Sequence, residues 1–129
     1  MKTLFSAAAT LLLLSSFMVQ AAVTREPFSE ERFETLQARD ALVLIDVWAR
    51  WCPTCAAQKK ILDRYAAERP ERDLHILVVD FDEQKEWVRH FRAPRQSTLL
   101  LYRGEAQLWF SVAETSVEKI FKILDRAAQ

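Results

Sequence analysis

Leu44-Ile45-Asp46-Val47-Trp48-Ala49-Arg50-Trp51-Cys52-Pro53-Thr54-Cys55 passes from an apolar run into a pair of cysteines three positions apart. Leu42 to Val47 is apolar except for Asp46, the pattern of a strand buried on both faces of a sheet. Pro53 fits the first turn of a helix, where its missing N–H costs little. The cysteines therefore fall where a strand ends and a helix begins, and they are the only two in the chain. At that spacing the sulfurs can close a disulfide and open it again. The helix N-terminus favours the thiolate of the first, which is the reactive form. The spacing points to a reversible dithiol/disulfide couple. The bland alternative is a static bridge, but so short a loop constrains the unfolded chain little and makes a poor staple.

Outward from this stretch, strands and helices alternate. Ser29 is an N-cap for a helix from Glu30 to about Arg39, with Phe33 and Leu36 on its apolar face. The helix after the cysteines carries Ile61, Leu62, Tyr65 and Ala66 and stops before Pro70. Leu74 to Val79 is a second buried strand. Glu83 to Phe91 places Trp87, Val88 and Phe91 at helical spacing. Leu99 to Tyr102, a turn at Arg103-Gly104 and Gln107 to Val112 form a hairpin, and Ser116 caps a last helix with Ile120, Phe121 and Leu124 inward. A further strand is expected within Ala22 to Arg25. The order (β)αβαβαββα with right-handed crossovers predicts an α/β three-layer sandwich, a central mixed sheet of 4–5 strands with helices on both faces. The cysteine pair then lies at the carboxyl edge of a central strand, where open α/β sheets place their sites.

Residues 1–21 have the pattern of a secretory signal. Lys2 is the only charge before Arg25, and Leu4 to Val19 is apolar around Leu11 to Leu14. Val19 and Ala21 stand third and first before a cut after Ala21. The apolar run is shorter than the roughly 18–20 residues of a spanning helix, which favours a cleaved leader over an anchor. No cysteine stands near the cut, which argues against a lipoprotein. Residues 22–129 are then one exported, periplasmic domain with one core. Its charges balance to about −1 once Lys2 is removed, so nothing points to nucleic acid or an anionic membrane as a partner. Outside the reducing cytosol a disulfide can persist.

The stretch from Leu44 to Cys55 resembles the strand and active-site signature of the thioredoxin family. Val79-Asp80-Phe81-Asp82 and Thr98-Leu99-Leu100-Leu101-Tyr102-Arg103-Gly104 resemble its later landmarks. The similarity covers nearly all of residues 22–129 and implies a thioredoxin-like fold. It implies that Cys52 is an exposed attacking thiolate and Cys55 a buried resolving thiol. Asp46 matches the family's buried acid, which moves a proton to or from the second cysteine. A carboxyl in an apolar strand has its ionised form disfavoured, which suits proton transfer near neutral pH; the alternative is an acid that merely solvates or caps the strand end. Trp48 and Trp51 would flank the site, or Trp48 would be a plain core aromatic. Trp51, Pro53, Thr54, Gln96, Ser97 and Thr98 are the expected client-binding residues.

Two departures stand out. The family's cis-proline position is held by Ser97, with Pro94 three residues earlier. A non-proline cis bond costs roughly 2.5–4 kcal/mol, so a trans Gln96–Ser97 bond is expected, together with an altered mode of client binding. If Ser97 holds that position, proline there should be tolerated. The second departure is Val78, which stands where many members carry a buried lysine, so Asp46 is expected to lack a buried cationic neighbour.

Pro53-Thr54 offers the thiolate only a neutral hydroxyl, which points to a reducing or intermediate potential. His75 and His90 are expected away from the chemistry. The leading reading is an exported thiol–disulfide oxidoreductase, a monomer that reduces client disulfides with no cofactor beyond its own dithiol. A membrane electron carrier of the DsbD or CcdA type would recharge it. The alternatives are the same couple run as an oxidase or isomerase, and a module that holds Cu(I) between the two thiolates. With no third or fourth ligand evident, no resident metal is expected.

Overall fold

The computed structural model describes residues 21–129. The expected leader therefore lies, except for Ala21, outside the described residues. Nine elements follow in order: β1 (Val23–Pro27), α1 (Glu30–Ala38), β2 (Leu42–Trp48), α2 (Pro53–Glu68), β3 (Leu74–Asp80), α3 (Lys85–His90), β4 (Thr98–Arg103), β5 (Ala106–Val112) and α4 (Val117–Ala127). The strands form one mixed sheet in the order β1-β3-β2-β4-β5. The first three are mutually parallel and the last two antiparallel. The expected first strand exists but runs on to Pro27. A proline at the end of an edge strand removes no needed ladder donor.

Side-chain caps start α1, α2 and α4, whereas Gln84 before α3 makes none. Ser29 Oγ accepts from Arg32 N–H at 3.2 Å, and Ser116 Oγ accepts from Lys119 N–H at 3.2 Å. Gly104, at φ +52°, makes the β4–β5 turn; a Cβ there would lie 2.7 Å from Asp40 Oδ1.

Period-2 alternation divides the core. Val43, Ile45 and Val47 of β2 face α1 and α3, packing with Phe33, Leu36, Val88 and Phe91. Leu42 and Leu44 face the other way, with Ile61, Leu62 and Tyr65 of α2 and Ile120 and Leu124 of α4. Asp46 keeps the parity of Leu44, so a carboxyl enters the apolar layer beneath α2. Ile76 of β3 belongs to the same layer, and Arg25 pairs with it from β1. That parity brings an acid and a base to one face of the sheet.

Candidate active site

The two cysteines form a disulfide at the start of α2, with Cα atoms 5.3 Å apart. Cys52 is the N-cap, and its Sγ accepts from Cys55 N–H at 3.1 Å. The free donors of the first turn are thereby aimed at the first sulfur, an arrangement that stabilises a thiolate. Cys55 is fully buried, and its Sγ stands 4.0 Å from Val47 O, an acceptor for the thiol proton once the bond opens. Ala49, Trp48 and Phe81 pack on the pair.

Cys52 is not the exposed group that the sequence led us to expect. It is 3% accessible, because Ser97 closes over it with Oγ 3.5 Å from Cys52 Sγ. Ser97 thus does occupy the place beside the dithiol, and Pro94 lies out in the exposed part of the loop. No peptide bond among the described residues is cis; instead Ser97 takes φ +60°. Its N–H donates to Val47 O at 2.8 Å, and its carbonyl accepts from Ala113 N–H at 2.9 Å. Both facts overturn the expectation that proline would be tolerated. The ring fixes φ near −65° and removes the donor.

The other expected client-binding residues separate by exposure. Trp51 is 59% exposed, its indole N–H donating to Asp82 Oδ2 at 2.8 Å. Pro53 is exposed, Thr54 and Gln96 are half-buried, and Thr98 is buried with its hydroxyl donating to Arg95 O at 2.6 Å. Trp51, Arg50, Asp80, Asp82 and Glu83 line a cleft of about 410 Å³ beside the dithiol. His75 bonds Thr24 on β1, and His90 packs on Trp87; neither touches the disulfide.

Asp46 is fully buried, and here the structure corrects a second expectation. Val78 does stand opposite Asp46 in the β2–β3 register, but a cation arrives from one strand further out. Arg25 Nη1 lies 2.8 Å from Asp46 Oδ2. The approach is oblique, so neither carboxylate oxygen has a partner on a proper hydrogen-bond line, and the attraction is chiefly coulombic. Burial pushes the Asp46 carboxyl above the ordinary carboxylate range, and Arg25 offsets part of that rise.

Two contributors escaped the sequence. Arg25 is one. The other is Gln58, fully buried in α2, whose Nε2 donates to Ser97 O at 3.2 Å and to Glu114 O at 3.0 Å. It ties the loop over Cys52 to the turn before α4. A signal existed: Gln58 stands on the stripe with Ile61, Leu62 and Tyr65, so a polar side chain was bound to enter the core.

Residues 23–126 match the family model for thioredoxin. A thioredoxin of Chlamydia trachomatis is 30% identical over 98 residues, spanning 76% of this chain and 93% of that one. A thiol:disulfide interchange protein DsbE of Haemophilus influenzae is 33% identical over 66 residues, which is 48% of this chain and 34% of that protein. The crystal structure of Trxlp from Edwardsiella tarda shares the fold with a TM-score of 0.74 and 40% identity, over 78% of this chain and 98% of that one. The match runs from the first strand to the last helix and agrees with a dithiol at the start of α2. By sequence, fold and chemistry, this chain belongs to the thioredoxin family of thiol–disulfide oxidoreductases.

Proposed function

We propose that the protein is an exported dithiol reductant of client disulfides. The observation that carries this reading is the environment of Cys52: its sulfur receives an α2 backbone N–H and faces a neutral serine hydroxyl. Neutral donors stabilise a thiolate less than a cation would, so the dithiol is not held strongly in its reduced form and gives up electrons readily. In the reaction, Cys52 thiolate attacks one sulfur of a client disulfide and expels the other as a thiolate, which takes a proton from water. The Asp46 carboxylate then accepts the Cys55 proton, and Cys55 attacks Cys52 Sγ in the mixed disulfide. The second client sulfur leaves as a thiolate and takes a proton from water, while Asp46 returns the Cys55 proton to solvent. Two electrons have passed to the client, and the protein ends in the disulfide form of the structure.

The cleft beside Trp51 is where an extended client segment would lie. Likeness to relatives named thioredoxin and thiol:disulfide interchange protein supports the exchange reaction. The apolar leader of residues 1–21 supports export, and with it the need for a DsbD- or CcdA-type electron donor. Expression of Cys55→Ser with its leader tests the reading. Mixed disulfides with exported proteins should accumulate on a protein that begins at Ala22. A product that keeps its first residues in the cytoplasm, or that forms no adducts, would refute it.

A further inference from the structure

A cleft of about 400 Å³ opens between β1, β3 and α2, and shares Trp48 with the packing around the disulfide. Arg25, Trp48, Lys59, Val78, Asp80 and Gln84 are among the residues that line it. Beneath it lies Asp46, fully buried and without a well-directed hydrogen bond on either oxygen. Such a group is costly to ionise unless an opposite charge stands close.

The register explains where that charge must come from. β3 separates β1 from β2, so Arg25 and Asp46 sit two strand spacings apart, roughly 10 Å. Arg25 pairs with Ile76, and Asp46 with Val78, on the same face of β3. Only a long side chain can cross that gap. Valine at 78 is short enough to leave room for the guanidinium above it, and the ion pair closes at 2.8 Å. Arg25 keeps 21% of its side chain accessible, so the cation retains part of its hydration while the acid has none.

The other ionisable groups near Asp46 are otherwise engaged. On β1, Glu26 pairs with Arg32 at 2.8 Å. On α2, Lys59 pairs with Asp63 at 2.7 Å, and Cys55 is the proton donor itself. On β3, Asp80 Oδ1 accepts from the backbone N–H groups of Asp82 and Glu83, while His75 points to Thr24. β4 presents Leu99 opposite Asp46 and brings no charge.

We propose that Arg25 is the positioning residue of the proton relay, reaching over Val78 to hold Asp46 as the base that takes the Cys55 proton, with the cleft as its route to water. This rests on the exchange reaction proposed above. Arg25 touches neither sulfur nor client; it acts through Asp46. Without it, the carboxylate would form only at higher pH, and resolution by Cys55 would move with it.

The test pairs two readouts on the purified protein. One is the rate of insulin disulfide reduction from pH 6 to 9, and the other is titration of the Asp46 carboxyl carbon by NMR in the oxidised state. Arg25→Met should shift both midpoints to higher pH by about 1 unit or more. Arg25→Lys should shift them less. Arg25→Met combined with Val78→Lys puts an ammonium on the adjacent strand and should bring both midpoints back towards wild type. If Arg25→Met does not fold, Arg25→Gln keeps the length and polarity and carries the same expectation. Unmoved midpoints in the charge-removed variant, or no return in the double variant, overturn the proposal. A wild type inactive on insulin at every pH would instead sink the exchange reading, and the carboxyl titration would still decide whether Arg25 governs Asp46.

Discussion

At the scale of single residues, position in the strand takes the Asp46 carboxyl out of water and raises its pKa. Its raised pKa has a consequence for stability. The folded state binds the Asp46 proton more tightly than the unfolded chain, whose value is near 3.8. Its stabilising contribution is therefore complete below that pH and is lost as pH rises through the folded value. Once ionised, Asp46 is a buried carboxylate that Arg25 compensates only in part. Asp46→Asn should consequently melt higher at pH 7, by about 4–8 °C if at least about 1 kcal/mol is recovered, and the gain should vanish near pH 4. The same variant should slow thiol exchange several-fold, since an amide cannot accept the Cys55 proton. Equal melting temperatures at pH 7, by calorimetry, would contradict the assignment. Ser97 gives the second prediction. Ser97→Pro should lose more than about 1 kcal/mol in denaturant unfolding, because it must abandon both the +60° φ and the bond to Val47 O. Ser97→Gly should fold at least as well, since glycine takes that φ freely. It should raise the Cys52 pKa seen in alkylation, having lost the hydroxyl beside the sulfur.

At the scale of elements, most of the architecture was legible because three of the four helices announce their own start. Ser29, Pro53 and Ser116 stand where α1, α2 and α4 begin, and the dithiol turn joins β2 to α2 at the residues the sequence indicated. What could not be read depends on long-range partners. Nothing local to Val23–Pro27 says that Arg25 will meet Asp46, because that meeting needs β3 inserted between their strands. Nothing local to Cys52 says that it will be covered, because the cover arrives with Ser97 from the far side of α3. Gln58 belongs to this scale, as the tie between α2, the Ser97 loop and the turn at Glu114. Gln58→Leu should keep the fold, since leucine suits the apolar stripe. It should speed amide hydrogen exchange at Ala113 and Ser97, whose bonds frame the tied loop. Exchange rates unchanged at both amides would show that the loop holds itself in place.

At the scale of the whole molecule, one sheet does two things. Its parallel half supplies the strand edge from which α2 and the dithiol spring, and its layering puts an ion pair under that edge. The antiparallel half brings Ser97 over the first sulfur. The resulting site has a buried ion pair on one side and an indole on the open side, with neutral donors at the Cys52 sulfur. That combination supports the proposed direction, in which the dithiol gives electrons away. The reduction potential of the Cys52–Cys55 couple, equilibrated against glutathione, tests this most directly. The value should be more reducing than about −200 mV, towards the range of thioredoxins near −270 mV. A value near about −120 mV, where strong dithiol oxidants lie, would contradict it.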